Sequence, residues 1–108
     1  ASVTVSTFNA VIDAAARTGD LAGAEEWFRR AKDAGIKPNV VTYTTIINAA
    51  VRRGNTAAAE RWYQRALEVG LQPNIVTFTS LINVAAKNGD LIAAQHWYRQ
   101  ALEAGATP

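Results

Sequence analysis

Few side chains in this sequence could do bond-breaking chemistry. There is no cysteine and a single histidine, His96, so thiol chemistry, disulfides and zinc ribbons are excluded and neither a metal nor a cofactor is expected. Glu25 and Glu26 are adjacent and would point in different directions on a helix, which reads as a solvated face. His96, with Gln95 and Arg99, reads as surface. The polar side chains that recur are of another kind. Asn9, Thr44 and Thr79 stand 35 residues apart, and each is followed eight residues later by a cation, Arg17, Arg52 or Lys87. Eight residues is close to two helical turns, so each polar group shares a helix face with a positive charge. Side chains that donate and accept hydrogen bonds beside a row of cations can bind a polar, negatively charged ligand. The reading is a binding module, not an enzyme.

The elements that position these residues follow from the same period. Thr7, Thr42 and Thr77; Gly19, Gly54 and Gly89; Trp27, Trp62 and Trp97; Gly35, Gly70 and Gly105; and Pro38, Pro73 and Pro108 all repeat at 35. Self-similarity of that length marks stacked supersecondary units, here residues 5–39, 40–74 and 75–108 of a single repeat domain spanning 1–108. In the first unit Phe8, Val11, Ile12 and Ala15 form a helical stripe, and Thr7 is its expected N-cap. Gly19 ends that helix and Asp20 caps the next one. There Ala24, Trp27, Phe28 and Ala31 recur at i, i+3, i+4 and i+7, until Gly35 and Pro38 stop the chain. The later units repeat every signal, and no segment alternates with period two. The fold class is all-α, an α-solenoid of three helix-turn-helix repeats (an αα superhelix).

Composition agrees. The apolar fraction is 49%, enough for a folded chain, and the tryptophan column reads as core. Ala14, Ala15, Ala49, Ala50 and Ala85 let helices approach closely. No apolar run reaches the ~18–20 residues of a membrane span, so no membrane partner is expected. No basic residue precedes Arg17, so no signal or transit peptide is legible. Net charge is only +2, but it is unevenly placed. The first helices (5–18, 40–53, 75–88) hold Arg17, Arg52, Arg53 and Lys87 against the single acid Asp13, while the rest of the chain is slightly acidic.

The 35-residue period, the Thr-aromatic opening of each first helix, the glycine between helices and the closing Gly-x-x-Pro-Asn resemble the pentatricopeptide repeat family. The tetratricopeptide repeat has a usual period of 34 and a Trp-x-x-Leu-Gly-x-x-Tyr signature that is absent here. Two features depart from the resemblance: tryptophan stands where an aliphatic residue is usual, and Lys32 replaces the leucine of the other units.

The resemblance implies a concave groove of first helices that binds single-stranded RNA, one base per repeat. It places base recognition on Asn9, Thr44 and Thr79, paired with Asn39 and Asn74 at the repeat ends; the third partner would follow Pro108. The base sandwich falls on Ser6, Val41 and Val76, and phosphate contact on Arg17, Arg52 and Lys87. Within the family code the expected site is 5′-pyrimidine-A-purine-3′, with the middle repeat reading adenine. A mitochondrial or plastid location is implied in the same way. The alternative function is a protein-interaction or assembly scaffold without RNA specificity. The third unit has no obvious polar capping helix, so stacking on further repeats is expected, in a longer array or by end-to-end self-association.

Overall fold

The computed structural model describes residues 3–105; Pro108, read as the stop of the third unit, lies outside them. The described chain forms six helices, α1 (Val5–Arg17), α2 (Leu21–Asp33), α3 (Val40–Arg52), α4 (Thr56–Glu68), α5 (Ile75–Lys87) and α6 (Leu91–Glu103), each of 13 residues. Their starts are fixed by side-chain caps. Thr4, Asn39 and Asn74 accept the backbone N–H of Thr7, Thr42 and Thr77 at 3.4, 3.1 and 3.1 Å. Thr7 is therefore not the N-cap of α1, which begins at Val5 and not at Phe8. It sits one turn inside, and its hydroxyl accepts the Thr4 N–H at 3.3 Å, as Thr42 accepts that of Asn39 at 3.1 Å. The threonine does the work that a glutamate does in the usual capping box.

The second helices start as the sequence suggests. Asp20, Asn55 and Asp90 accept from the N–H groups of Gly23, Ala58 and Ala93 at 2.8, 3.0 and 3.0 Å. Between the two helices of a unit the chain must reverse within three residues. At Gly54 it does so with φ +71°, which lets the Asn55 N–H turn back to the Ala50 carbonyl at 2.9 Å and satisfy an end-of-helix acceptor.

Each unit is an antiparallel hairpin, α1 on α2, α3 on α4 and α5 on α6, and the hairpins stack with α1 against α3 and α3 against α5. Small residues line that inner seam: Ala16, Ala49, Ala50 and Ala85 are all buried. The outer helices are held apart by rings. Phe28 meets Trp62 edge-on at 4.7 Å, and Tyr63 meets Trp97 at 5.4 Å. Alanine inside and aromatics outside make the stack curve, with α1, α3 and α5 on the concave side. Burial raises the pKa of the Tyr43 and Tyr63 hydroxyls above the ordinary tyrosine value.

The tryptophan column is core in two of its three members, with Trp62 5% and Trp97 1% exposed. Trp27, on the first hairpin, is only partly covered and packs beside Phe8 at 6.4 Å. Two polar side chains read as surface turn out to join repeats. Glu25 accepts the Trp62 indole N–H at 2.7 Å, and Glu60, at the same position one repeat on, lies 2.9 Å from the His96 ring. A buried indole N–H needs an acceptor, and the preceding outer helix supplies it. On α6, Leu91, Ile92, Tyr98 and Leu102 remain exposed.

The unequal burial sets an expectation for stability. Trp62→Ala should lower the unfolding free energy by about 3–5 kcal/mol in chemical denaturation, because it empties a ring site and leaves Glu25 unpartnered. Trp27→Ala should cost clearly less; equal losses would contradict the packing described.

Candidate functional site

On α3 the residues Val41, Thr44, Asn48 and Arg52 fall three or four apart, so the helical twist brings all four onto the concave face. The corresponding residues of α5 are Val76, Thr79, Asn83 and Lys87, and those of α1 are Ser6, Asn9, Asp13 and Arg17. Two connected regions result, an apolar one near the helix starts and a polar, basic one towards their ends.

The first is a pocket of about 330 Å³ between α3 and α5, lined by Val40, Val41, Thr44, Thr45, Asn74, Val76, Thr77 and Ser80. It contains all four residues that the sequence assigns to the middle reader and its sandwich: Val41, Thr44, Asn74 and Val76. Both valines are open to solvent at 53% and 71% exposure, although they are apolar and flank a polar pair. Sequence reasoning missed Thr45, Ser80 and Thr77 as parts of the wall. Thr77 matters most, because it orients the amide. Its backbone N–H donates to Asn74 Oδ1 at 3.1 Å and its hydroxyl reaches the same atom at 3.5 Å. The cap therefore commits the amide oxygen, and Nδ2 has no hydrogen-bond partner among the described residues. Thr44 Oγ1 stands 3.4 Å from Thr77 Oγ1, so the two polar groups of the pocket share one anchor.

The first repeat brings its assigned pair together but closes it. Asn9 Nδ2 donates to Asn39 Oδ1 at 3.2 Å, and Thr42 Oγ1 donates to Asn9 Oδ1. Asn39 Oδ1 meanwhile caps α3. Both ends of the Asn9 amide are thus occupied from within the protein, and Ser6 lies exposed beside it. In the third repeat Thr79 is exposed, and the partner expected after Pro108 lies outside the described residues.

The second region is a groove of about 820 Å³ whose walls include Asp13, Arg17, Asn48, Arg52, Thr79, Ser80, Asn83 and Lys87. The three predicted cations all face it, but in unequal states. Arg17 Nε lies 2.7 Å from Asp13 Oδ2. Arg52 gives one guanidinium N–H to the Ala16 carbonyl at 2.9 Å, and Lys87 makes no ion pair among the described residues. Arg53, counted with the inner-layer charge, is used for stitching: it donates to the Gly19 carbonyl of the preceding repeat. Asn88 does the same one repeat on, to the Val51 and Arg52 carbonyls at 2.9 and 2.8 Å. At the groove floor the Asn48 amide donates to Ser80 Oγ at 3.0 Å, and its Oδ1 is buried without a partner.

This geometry can hold a flat group between two valines, address its edge with one hydroxyl and one amide donor, and place positive charge alongside. Among the described residues there is no cluster of histidine and acidic side chains able to hold a metal ion.

Comparison with known proteins bears on what such a groove is. A family model described as a pentatricopeptide repeat domain matches residues 28–88 and 63–97, and a second, described as the PPR repeat family, matches residues 3–52. No curated protein matches the chain. Among solved structures, the crystal structure of the pentatricopeptide repeat protein PPR10 in complex with an 18-nt psaJ RNA element superposes with a TM-score of 0.83 at 25% identity, and a triple cysteine-to-serine form of that complex gives the same values. The crystal structure of PPR10 from maize matches at 0.75 and 21% identity. The match covers 99% of this chain but only 16% of PPR10 in the complex, and 99% and 15% for the maize structure. A family model that covers more than half of the residues, together with hairpins stacked as in PPR10, establishes that the chain belongs to the pentatricopeptide repeat family.

Proposed function

We propose that the concave groove binds single-stranded RNA without catalysis, one base per repeat, at a site of the form 5′-pyrimidine-A-purine-3′. The observation that carries this reading is the middle pocket, where Val41 and Val76 flank a space bounded by Thr44 and Asn74. Two apolar walls suit the faces of a base. The free Asn74 Nδ2 donor and the Thr44 hydroxyl, which can accept, complement the acceptor N1 and donor N6 of adenine. Similarity to a protein crystallised with RNA supports the same reading. The direction of the strand and the pyrimidine and purine assignments follow the family code, as does a mitochondrial or plastid setting.

The three repeats contribute unequally. A base at the first repeat must displace the bonds that already join Asn9, Asn39 and Thr42, so the middle repeat is the dominant reader. Stacking is worth roughly 1–3 kcal/mol per base, before the cost of ordering the strand, so three repeats should bind at about micromolar strength or weaker.

Titration of short labelled RNAs over a range of salt concentrations tests the proposal. Affinity should fall with salt, by a logarithmic slope of about 0.7 per phosphate contacted, and should drop when the base opposite the middle repeat is changed from A. Binding with neither property would favour an assembly scaffold instead.

Two substitutions probe the pocket itself. Thr44→Asn recreates the Asn–Asn pair of the first repeat and should move the preference at that base from A towards a pyrimidine. Asn74→Asp should leave Tm nearly unchanged, since aspartate caps helices about as well as asparagine. It replaces the amide donor by a carboxylate acceptor, so preference should move to bases whose pairing-edge ring nitrogen carries a hydrogen, guanine (N1–H) and uracil (N3–H), and away from adenine, whose N1 is an acceptor. Retained preference for A in both variants would remove the assignment.

A further inference from the structure

We infer that Asp13 sets the strength with which the groove holds a polyanion, acting as a brake on the first member of the cationic row; this rests on the RNA reading above. Asp13, Asn48 and Asn83 are the same position of three successive repeats, on the turn of each inner helix just before the cation, and all three face the 820 Å³ groove. Only the first carries a charge.

Its carboxylate sits 2.7 Å from Arg17 Nε, and the pair is open to solvent, with side-chain exposures of 46% for Asp13 and 75% for Arg17. A phosphate reaching Arg17 meets a guanidinium whose charge is already matched, and a neighbouring carboxylate that repels it. At the next position Asn48 is neutral and turned to Ser80, so Arg52 keeps its full charge even while one N–H serves the Ala16 carbonyl. At the third, Asn83 is neutral and exposed, beside a lysine with no ion pair among the described residues. Electrostatic grip therefore rises from the first repeat to the third.

The fold offers no competing reason for the acid. An exposed pair four residues apart on one helix adds little to stability. Among the described residues Asp13 makes no hydrogen bond to a capping group: its polar contact is Arg17.

The test compares Asp13→Asn, which installs the side chain of the other two repeats, with Asp33→Asn. The second makes the same change in net charge on the outer helix, where Asp33 lies 3.6 Å from Arg29. Binding of a short single-stranded oligouridine, which does not depend on the adenine reader, is measured as a function of salt. One released cation should steepen the logarithmic salt slope by about 0.7 and tighten binding by about five-fold near ~0.1 M salt. Asp33→Asn should leave the slope as in the parent chain, and the Tm of Asp13→Asn should stay near that of the parent. Equal responses of the two variants, or an unchanged slope for Asp13→Asn while the parent binds in a salt-dependent way, would overturn the inference and leave RNA binding intact. Failure of every form, parent included, to bind both this oligouridine and an RNA with A opposite the middle repeat would instead remove the RNA reading and the brake with it.

Discussion

The start of each inner helix depends on one hydrogen bond, from a backbone N–H of the first turn to the side-chain oxygen of the residue before the helix. Four N–H groups at a helix start have no partner within the helix, and an asparagine at the cap supplies an acceptor to one of them. At Asn39 and Asn74 that bond has a second consequence. The amide is pinned by its oxygen, so its nitrogen has a fixed direction. In the second unit the residue so held lines the concave pocket, so the same asparagine that begins α5 also forms part of the groove wall. Folding and the site's polarity cannot be separated at this residue.

The curvature that makes the pocket concave is a matter of side-chain size. Ala49 and Ala50 leave room for α1 and α5 to approach α3, while Phe28, Trp62, Tyr63 and Trp97 wedge the outer layer open. The aromatic rings also bring a polar demand: the Trp62 N–H must be answered, and Glu25 answers it from the previous repeat. Ring packing and hydrogen bonding thus fix both the distance and the register between hairpins. Polar side chains at the ends of the inner helices serve register as well, since Arg52, Arg53 and Asn88 each bond to carbonyls in the last turn of the preceding inner helix or in the turn that follows it.

The sequence showed the helices because a 35-residue period superimposes three copies of every signal, and apolar spacing within each copy is unambiguous. It showed the middle pocket because its four residues are named by column. What escaped was contact between columns. Thr7 looked like a cap because threonine is a good one; the better-placed residue was Thr4, and the asparagines at 39 and 74 occupy the same column. Glu25 and His96 looked like surface because nothing in helical periodicity tells which polar side chain reaches a partner some 36 residues away. Asp13 is legible as the one acid of the inner layer, but its contact with Arg17 depends on side-chain rotamers that the sequence does not carry.

The first and second repeats show why equal folds need not carry equal sites. Asn9 and Thr44 occupy the same position, and both sit beside a capping asparagine of the following helix. The longer Asn9 amide spans the gap: it donates to Asn39 and accepts from Thr42, and the polar groups satisfy one another. Thr44 is too short for this. Its hydroxyl reaches Thr77 at the limit of hydrogen-bonding distance and leaves the Asn74 nitrogen without a hydrogen-bond partner among the described residues. An unsatisfied donor is tolerable where water reaches it and becomes costly only if it is covered without an acceptor. The pocket between Val41 and Val76 is such a place, open in the free protein and closable by a flat, hydrogen-bonding guest. A side chain shorter by one polar group, on an unchanged backbone, turns a self-satisfied contact into a receptive one.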